Sequence, residues 1–285
     1  MHPGPGRGWA RMQGSVRYQG RYGRAGDVLA RSPPVPKSLS FTVHDERAVR
    51  GGRRVALGLD VAGDRVPATL LLPLEPRPAP AALLLHGYTS NKEQMVESAG
   101  RALLALGVAS LGVDLPLHGE RVGRAGAAGM SPEEFRNPLA LAQRWRAALE
   151  ECRVALRYLA TLPEIDPDRL ALVGYSMGAY LGVMVAAREP SVRVLVLAAG
   201  GDLPAGLPYA ALVRTVVDPI RAVKRYAGRP LLLVHGRHDR TIRPDQAERL
   251  YAAAGEPKQM LWYDGGHWLP ETVVRRAAEW VAERA

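Results

Sequence analysis

The pentapeptide Gly174-Tyr175-Ser176-Met177-Gly178 sets a serine between two glycines. It joins an apolar run, RLALVGY (169–175), to a helix-forming run over 177–188. In that context G-x-S-x-G is a sharp, strained turn that lifts the serine hydroxyl above the carboxyl end of a sheet. The flanking glycines relieve clashes with the neighbouring strand and helix. The chemistry this permits is nucleophilic attack, and a serine hydroxyl needs a base to perform it. The backbone N–H of Met177 points into the same space from the first turn of the helix.

The base is sought further along the chain, on a loop after a later strand. Of the seven histidines, His2 lies near the start, His44 in the first strands, and His86 and His235 each end an apolar run just before a glycine. His118, His238 and His267 remain on loops. His267, in Gly265-Gly266-His267-Trp268, follows the last strand-like run, and the two glycines let the loop turn the imidazole back over the sheet edge. The base in turn needs an acid to fix its tautomer and stabilise the imidazolium. Asp239 follows the run ending at His235 and lies 63 residues after Ser176 and 28 before His267. Asp264 is a rival, but it is badly placed to reach the outer nitrogen of a histidine three residues away. Asp202, after the preceding strand, is a weaker one.

These residues need a scaffold that brings strand ends together. SLSFTVHD, RRVALGLDV and RVPATLLLP read as antiparallel strands separated by charged or Gly-containing turns. From AALLLHG (81–87) onward, continuous apolar runs alternate with helical periods: strands at 108–116, 169–175, 192–200, 229–236 and 258–265, helices at 90–106, 138–162, 177–188, 244–254 and 271–284. Strands buried on both faces and separated by helices predict an α/β protein with a mostly parallel central sheet and helices on both faces. Residues 117–137 and 201–228 break the alternation and read as short, cap-like insertions.

The segments HGYTS, GVDLPLHGE, GYSMG, HGRHD and GGHW occur in that order, and with them the chain resembles the α/β-hydrolase superfamily over residues 65–285. Within it, the small size and the HGYTS opening look most like dienelactone-hydrolase-type esterases and the related prolyl-oligopeptidase catalytic domains. The resemblance implies a Ser176–Asp239–His267 triad and an oxyanion hole from the backbone N–H groups of Tyr88 and Met177. It departs at the nucleophile, a cysteine in true dienelactone hydrolases, and the HGGG run of hormone-sensitive-lipase relatives is absent. The expected activity is cleavage of carboxylic esters of small molecules through an acyl-enzyme, with no cofactor or metal. A small peptidase, thioesterase or acyltransferase would use the same triad, and a non-enzymatic binding protein on this fold is the rival of another class. Tyr88, Tyr209 and Trp268 are the candidates to wall the substrate pocket, with Leu203, Leu207 and Leu212 beside Tyr209.

Other constellations read as structure. His86 is read as a packed, hydrogen-bonded residue, and Asp114 as the anchor of a loop near the pocket rather than a metal ligand with His118 and Glu120. Arg237, His238 and Arg240 read as loop charges, with recognition of an anionic substrate as the alternative. Cys152, the one cysteine, allows no disulfide within the chain and no multi-cysteine zinc site. Phosphate-loop and dinucleotide fingerprints are absent.

The 285 residues carry a formal net charge of +10. Residues 1–37 hold seven basic groups against one acid, leaving 31 basic and 27 acidic in the rest. The surplus therefore belongs mostly to a Gly-, Arg- and Pro-rich segment, read as a flexible basic arm before a domain over 38–285. Neither nucleic acid nor membrane is an obligatory partner on this reading, and a homo-oligomer is left open. The first 30 residues lack the apolar stretch of a secretory signal, so a cytoplasmic protein is expected. The charge-free run 170–187 is read as a strand, a tight turn and a helix, not as a membrane span.

Overall fold

The computed structural model describes residues 12–17, 38–75, 78–122, 137–206 and 210–285. Ten strands form one sheet in the order β1-β2-β3-β4-β6-β5-β7-β8-β9-β10. Strands β1 (Met12–Arg17), β2 (Ser38–Val49), β3 (Gly52–Val61) and β4 (Asp64–Pro73) run antiparallel, and β4 also meets β6 antiparallel. Strands β5 (Ala79–Leu85), β6 (Ala109–Val113), β7 (Ile165–Tyr175), β8 (Val192–Ala198), β9 (Leu231–Gly236) and β10 (Lys258–Tyr263) are parallel to one another. Within the segment expected to be an arm, residues 12–17 pair with 38–43 at the sheet edge, and the others lie outside the described residues.

The apolar runs earn their burial by alternation. Ala81, Leu83 and Leu85 of β5 face one core and Ala82 and Leu84 the other, and β7 divides Leu170 and Leu172 from Ala171 and Val173 in the same way. A strand apolar on both faces can be satisfied only between two helical layers. One layer holds α3 (Pro138–Thr161), α4 (Met177–Ala186), α6 (Pro219–Arg225) and α7 (Pro244–Ala253). The other holds α8 (Glu271–Ala282) and the segment 92–104, where α1 (Lys92–Met95) and α2 (Arg101–Leu104) flank a π-helical turn, Val96–Gly100. The expected helix over 90–106 is thus interrupted by a wider turn.

Cys152 is fully buried in α3, as part of the core. The run 170–187 divides into β7, a turn at Ser176 and α4, and no described helix is long and apolar enough to cross a membrane. The insertion at 201–228 contains α5 (Ala210–Arg214) and α6. It is latched to the body through buried Asp202, whose carboxylate accepts from Arg214 at 2.9 Å and Arg249 at 3.3 Å. Of the insertion at 117–137, only residues 117–122 and 137 are described.

Candidate active site

Ser176 leaves β7 with φ 53° and ψ −115°, a left-handed conformation that a residue with a side chain rarely adopts. Such backbone strain persists only where its surroundings fix it. Here the Ser176 N–H donates to the Ala198 carbonyl at 2.9 Å, and its own carbonyl accepts from Ala179 at 2.9 Å. The two flanking glycines are there for close approach. A Cβ on Gly174 would lie 2.3 Å from the Gly178 carbonyl oxygen, and one on Gly178 would lie 2.2 Å from that of Leu85. Glycine at both positions lets β5, β7 and the start of α4 converge behind the serine.

The loops after three different strands meet at its hydroxyl. His267, after β10, places Nε2 2.9 Å from Ser176 Oγ, and its Nδ1 stands 2.8 Å from Asp239 Oδ2. Asp239, after β9, is 2 % exposed, and its Oδ1 accepts from the N–H groups of Thr241 at 2.8 Å and Ile242 at 3.0 Å. An ionised carboxylate only accepts, so the imidazole carries its proton on Nδ1 and turns the Nε2 lone pair toward the serine O–H. Ser176 itself is 9 % exposed. This arrangement can withdraw the hydroxyl proton as the oxygen attacks an electrophile. The rival acids are engaged elsewhere: Asp264 accepts from His238 at the surface, at 2.8 Å, and Asp202 holds Arg214 and Arg249.

Tyr88 and Met177 flank the serine. Met177 is the first residue of α4, where an N–H has no carbonyl partner within the helix. Tyr88 follows Gly87, which lies so close to the nucleophile turn that a Cβ there would be 3.3 Å from the Ser176 Cβ and 3.0 Å from the Tyr175 ring.

A hollow of about 400 Å³ opens over Ser176. Tyr88, Met177, Tyr180, Leu203 and Trp145 line it, and its walls are almost wholly apolar, with Arg144 among the exceptions. Of the residues expected to wall a pocket, Tyr88 does so and Tyr209 lies outside the described residues, as does Leu207. Trp268 is corrected: it lines a different cavity, on the far side of Tyr175, and is 73 % exposed. The Gly265-Gly266 turn that brings His267 inward throws the next side chain out. Leu212 is exposed as well. Trp145, Leu141 and Ala148, which the sequence reading passed over, share one face of α3 at helical spacing. That spacing signals a buried face without saying that a hollow covers it.

The floor of the hollow is held by a buried polar cluster. Asp114 accepts from the Lys92 N–H at 2.8 Å, from Lys92 Nζ at 3.0 Å and from the Glu120 N–H at 2.9 Å. Lys92 Nζ also donates to Glu120. His86 donates from Nδ1 to the Gly87 carbonyl and accepts from the Leu115 N–H at Nε2, 3.0 Å away. Burial lowers His86 to about 4, which keeps that nitrogen free to accept. His118 donates from Nδ1 to the Pro116 carbonyl at 2.8 Å, and burial lowers it too. Asp114 therefore anchors a loop, as the sequence suggests. Arg237 lies over the Trp262 ring and His238 meets Asp264, both as surface loop contacts.

Comparison with known proteins adds a match to a family model and likenesses to relatives and solved folds. Residues 147–277 match the family model described as Serine hydrolase (FSH1). An uncharacterized protein of Mycobacterium tuberculosis is 28% identical over 199 residues, covering 67% of this chain. This chain spans 64% of the length of that relative. Esterase YjfP of Escherichia coli is 27% identical over 201 residues, covering 63% of this chain and 76% of its own. Among solved structures, Acetyl Xylan Esterase 1 from Thermoanaerobacterium sp. superposes with a TM-score of 0.69 at 20% identity, over 85% of this chain and 87% of its own.

Proposed function

We infer that this chain, a serine hydrolase of the α/β-hydrolase superfamily, cleaves carboxylic esters through an acyl-enzyme. The observation that carries the reading is the line of hydrogen-bonding distances from Asp239 through His267 to Ser176. His267 takes the Ser176 proton as Oγ attacks the ester carbonyl. The backbone N–H groups of Tyr88 and Met177 receive the oxyanion, a contribution whose loss at one donor typically costs about 2.7–4 kcal/mol of transition-state stabilisation. His267 then protonates the leaving alcohol, and water repeats the sequence to release the acid. Asp239 holds the imidazole tautomer throughout. The apolar hollow over Ser176 favours esters with an aliphatic or aromatic group on one side of the scissile bond. Esterase YjfP and the acetyl xylan esterase, by their names, belong to the same reaction class.

The test is covalent labelling by a serine-directed fluorophosphonate, followed by turnover of short p-nitrophenyl esters and of aminoacyl anilides. Labelling of the native chain and its loss in Ser176→Ala are expected, with turnover of the esters. A native chain that resists the probe would favour a binding protein on this fold. One that cleaves only the anilides would make it a peptidase.

A further inference from the structure

Tyr175, the last residue of β7, packs against one core, Ser176 opens the turn beyond it, and each lines a cavity of its own. The second, about 260 Å³, sits between the 92–104 helical segment and α8, over Val173, Val196 and Ala198. Small side chains line it from both helical segments of that layer: Ala99 on the π-helical turn, and Ala277 and Ala278 of α8. Well-packed interiors contain few voids larger than a water molecule. An apolar cavity of about 150 Å³ is already enough to hold benzene.

We propose that this cavity is a second ligand site, separate from the hollow over Ser176, for the aliphatic chain of an uncharged molecule about the size of octanol. The chemistry of the walls selects that class. Hydrocarbon side chains form most of the surface, and no charged side chain lines it among the described residues, so a fatty carboxylate would find no cation. The polar groups that do line it, Ser90, Gln94 and Ser98, are neutral and suit a hydroxyl or ester head. The exposed Trp268 gives the cavity an apolar rim. An occupant rests on Tyr175, whose hydroxyl donates to the His267 carbonyl at 3.1 Å, so the site shares a wall with the histidine loop. The proposal does not depend on the chain being an esterase.

Calorimetric titration of the full chain with 1-octanol tests it. The native protein is expected to bind, and Ala277→Leu, which fills the cavity, to bind at least tenfold more weakly. Val274→Trp, which crowds the cavity wall from a less buried position, provides the same comparison should Ala277→Leu fail to fold. Ala148→Phe, which narrows the hollow over Ser176, is expected to bind as the native chain does. No binding by the native protein overturns the proposal. So does equal binding by the folded cavity variants, or binding abolished by Ala148→Phe, since the alcohol would then sit over Ser176.

Discussion

Asp239 accepts three hydrogen bonds and spends only one of them on the imidazole. The two backbone bonds to its other oxygen fix the carboxylate independently of His267, so the tautomer is set by a rigid group. Asp239→Asn keeps the shape but loses the acceptor-only character that places the proton on Nδ1. Turnover of a short p-nitrophenyl ester is expected to fall about 10⁴-fold with the fold intact, and a loss below tenfold would reject the triad assignment. At this scale the sequence was readable where a motif carries its own geometry. The serine turn announces itself by two glycines, and the choice of Asp239 over Asp264 follows from reach alone. Sequence adjacency to a histidine says nothing about direction on a tight glycine turn, so the position of Trp268 beside His267 gives no sign that it faces away from the hollow.

Among the elements, the parallel strands were legible because burial on both faces leaves continuous apolar runs, and the helices between them because they alternate with those runs, whereas β1 lies in a segment whose composition reads as an arm. The π-helical turn at 96–100 and the latch on Asp202 were not. A wider turn leaves the helical period nearly unchanged over five residues, and ion pairs between distant segments have no period at all. The cluster around Asp114 shows what such pairs do. It ties the start of α1 to the loop after β6, whose Leu115, Pro116 and His118 line the hollow over Ser176. Lys92→Met removes the cation facing a fully buried carboxylate. Breaking one side of a buried pair typically costs about 3–5 kcal/mol, because the remaining charge is stranded. Urea denaturation should show a loss of that size, and a change under about 1 kcal/mol would place the stabilising contacts of this loop elsewhere.

For the whole molecule, net charge proved a poor guide to chemistry, since most of the surplus lies in residues 1–37 and the site is made of groups that need none of it. Proton binding says more. Burial lowers His86, His118 and His235, so between their native values and the ordinary 6.5 the unfolded chain binds protons that the folded chain refuses. Their contribution is complete above that value and is lost as pH falls through the window, down to about 4 for His86. For His86 alone the loss amounts to about 3 kcal/mol, and the other two act with the same sign. The urea midpoint is expected to drop between about pH 7 and about pH 4, and less steeply in His86→Gln. An unchanged slope in that variant would remove His86 as a cause.

Asp239, His267 and Ser176 hang from strands of unequal security. Ser176 follows a strand with neighbours on both sides, whereas His267 follows β10, the last strand of the sheet, bonded to β9 alone. Peripheral strands open at lower free energy than central ones. Warming should therefore disarm the molecule before it melts. Residual ester turnover, measured at temperature, is expected to vanish several degrees below the loss of the far-ultraviolet circular dichroism signal. Coincident curves would mean that the rim of the sheet holds as long as its centre does.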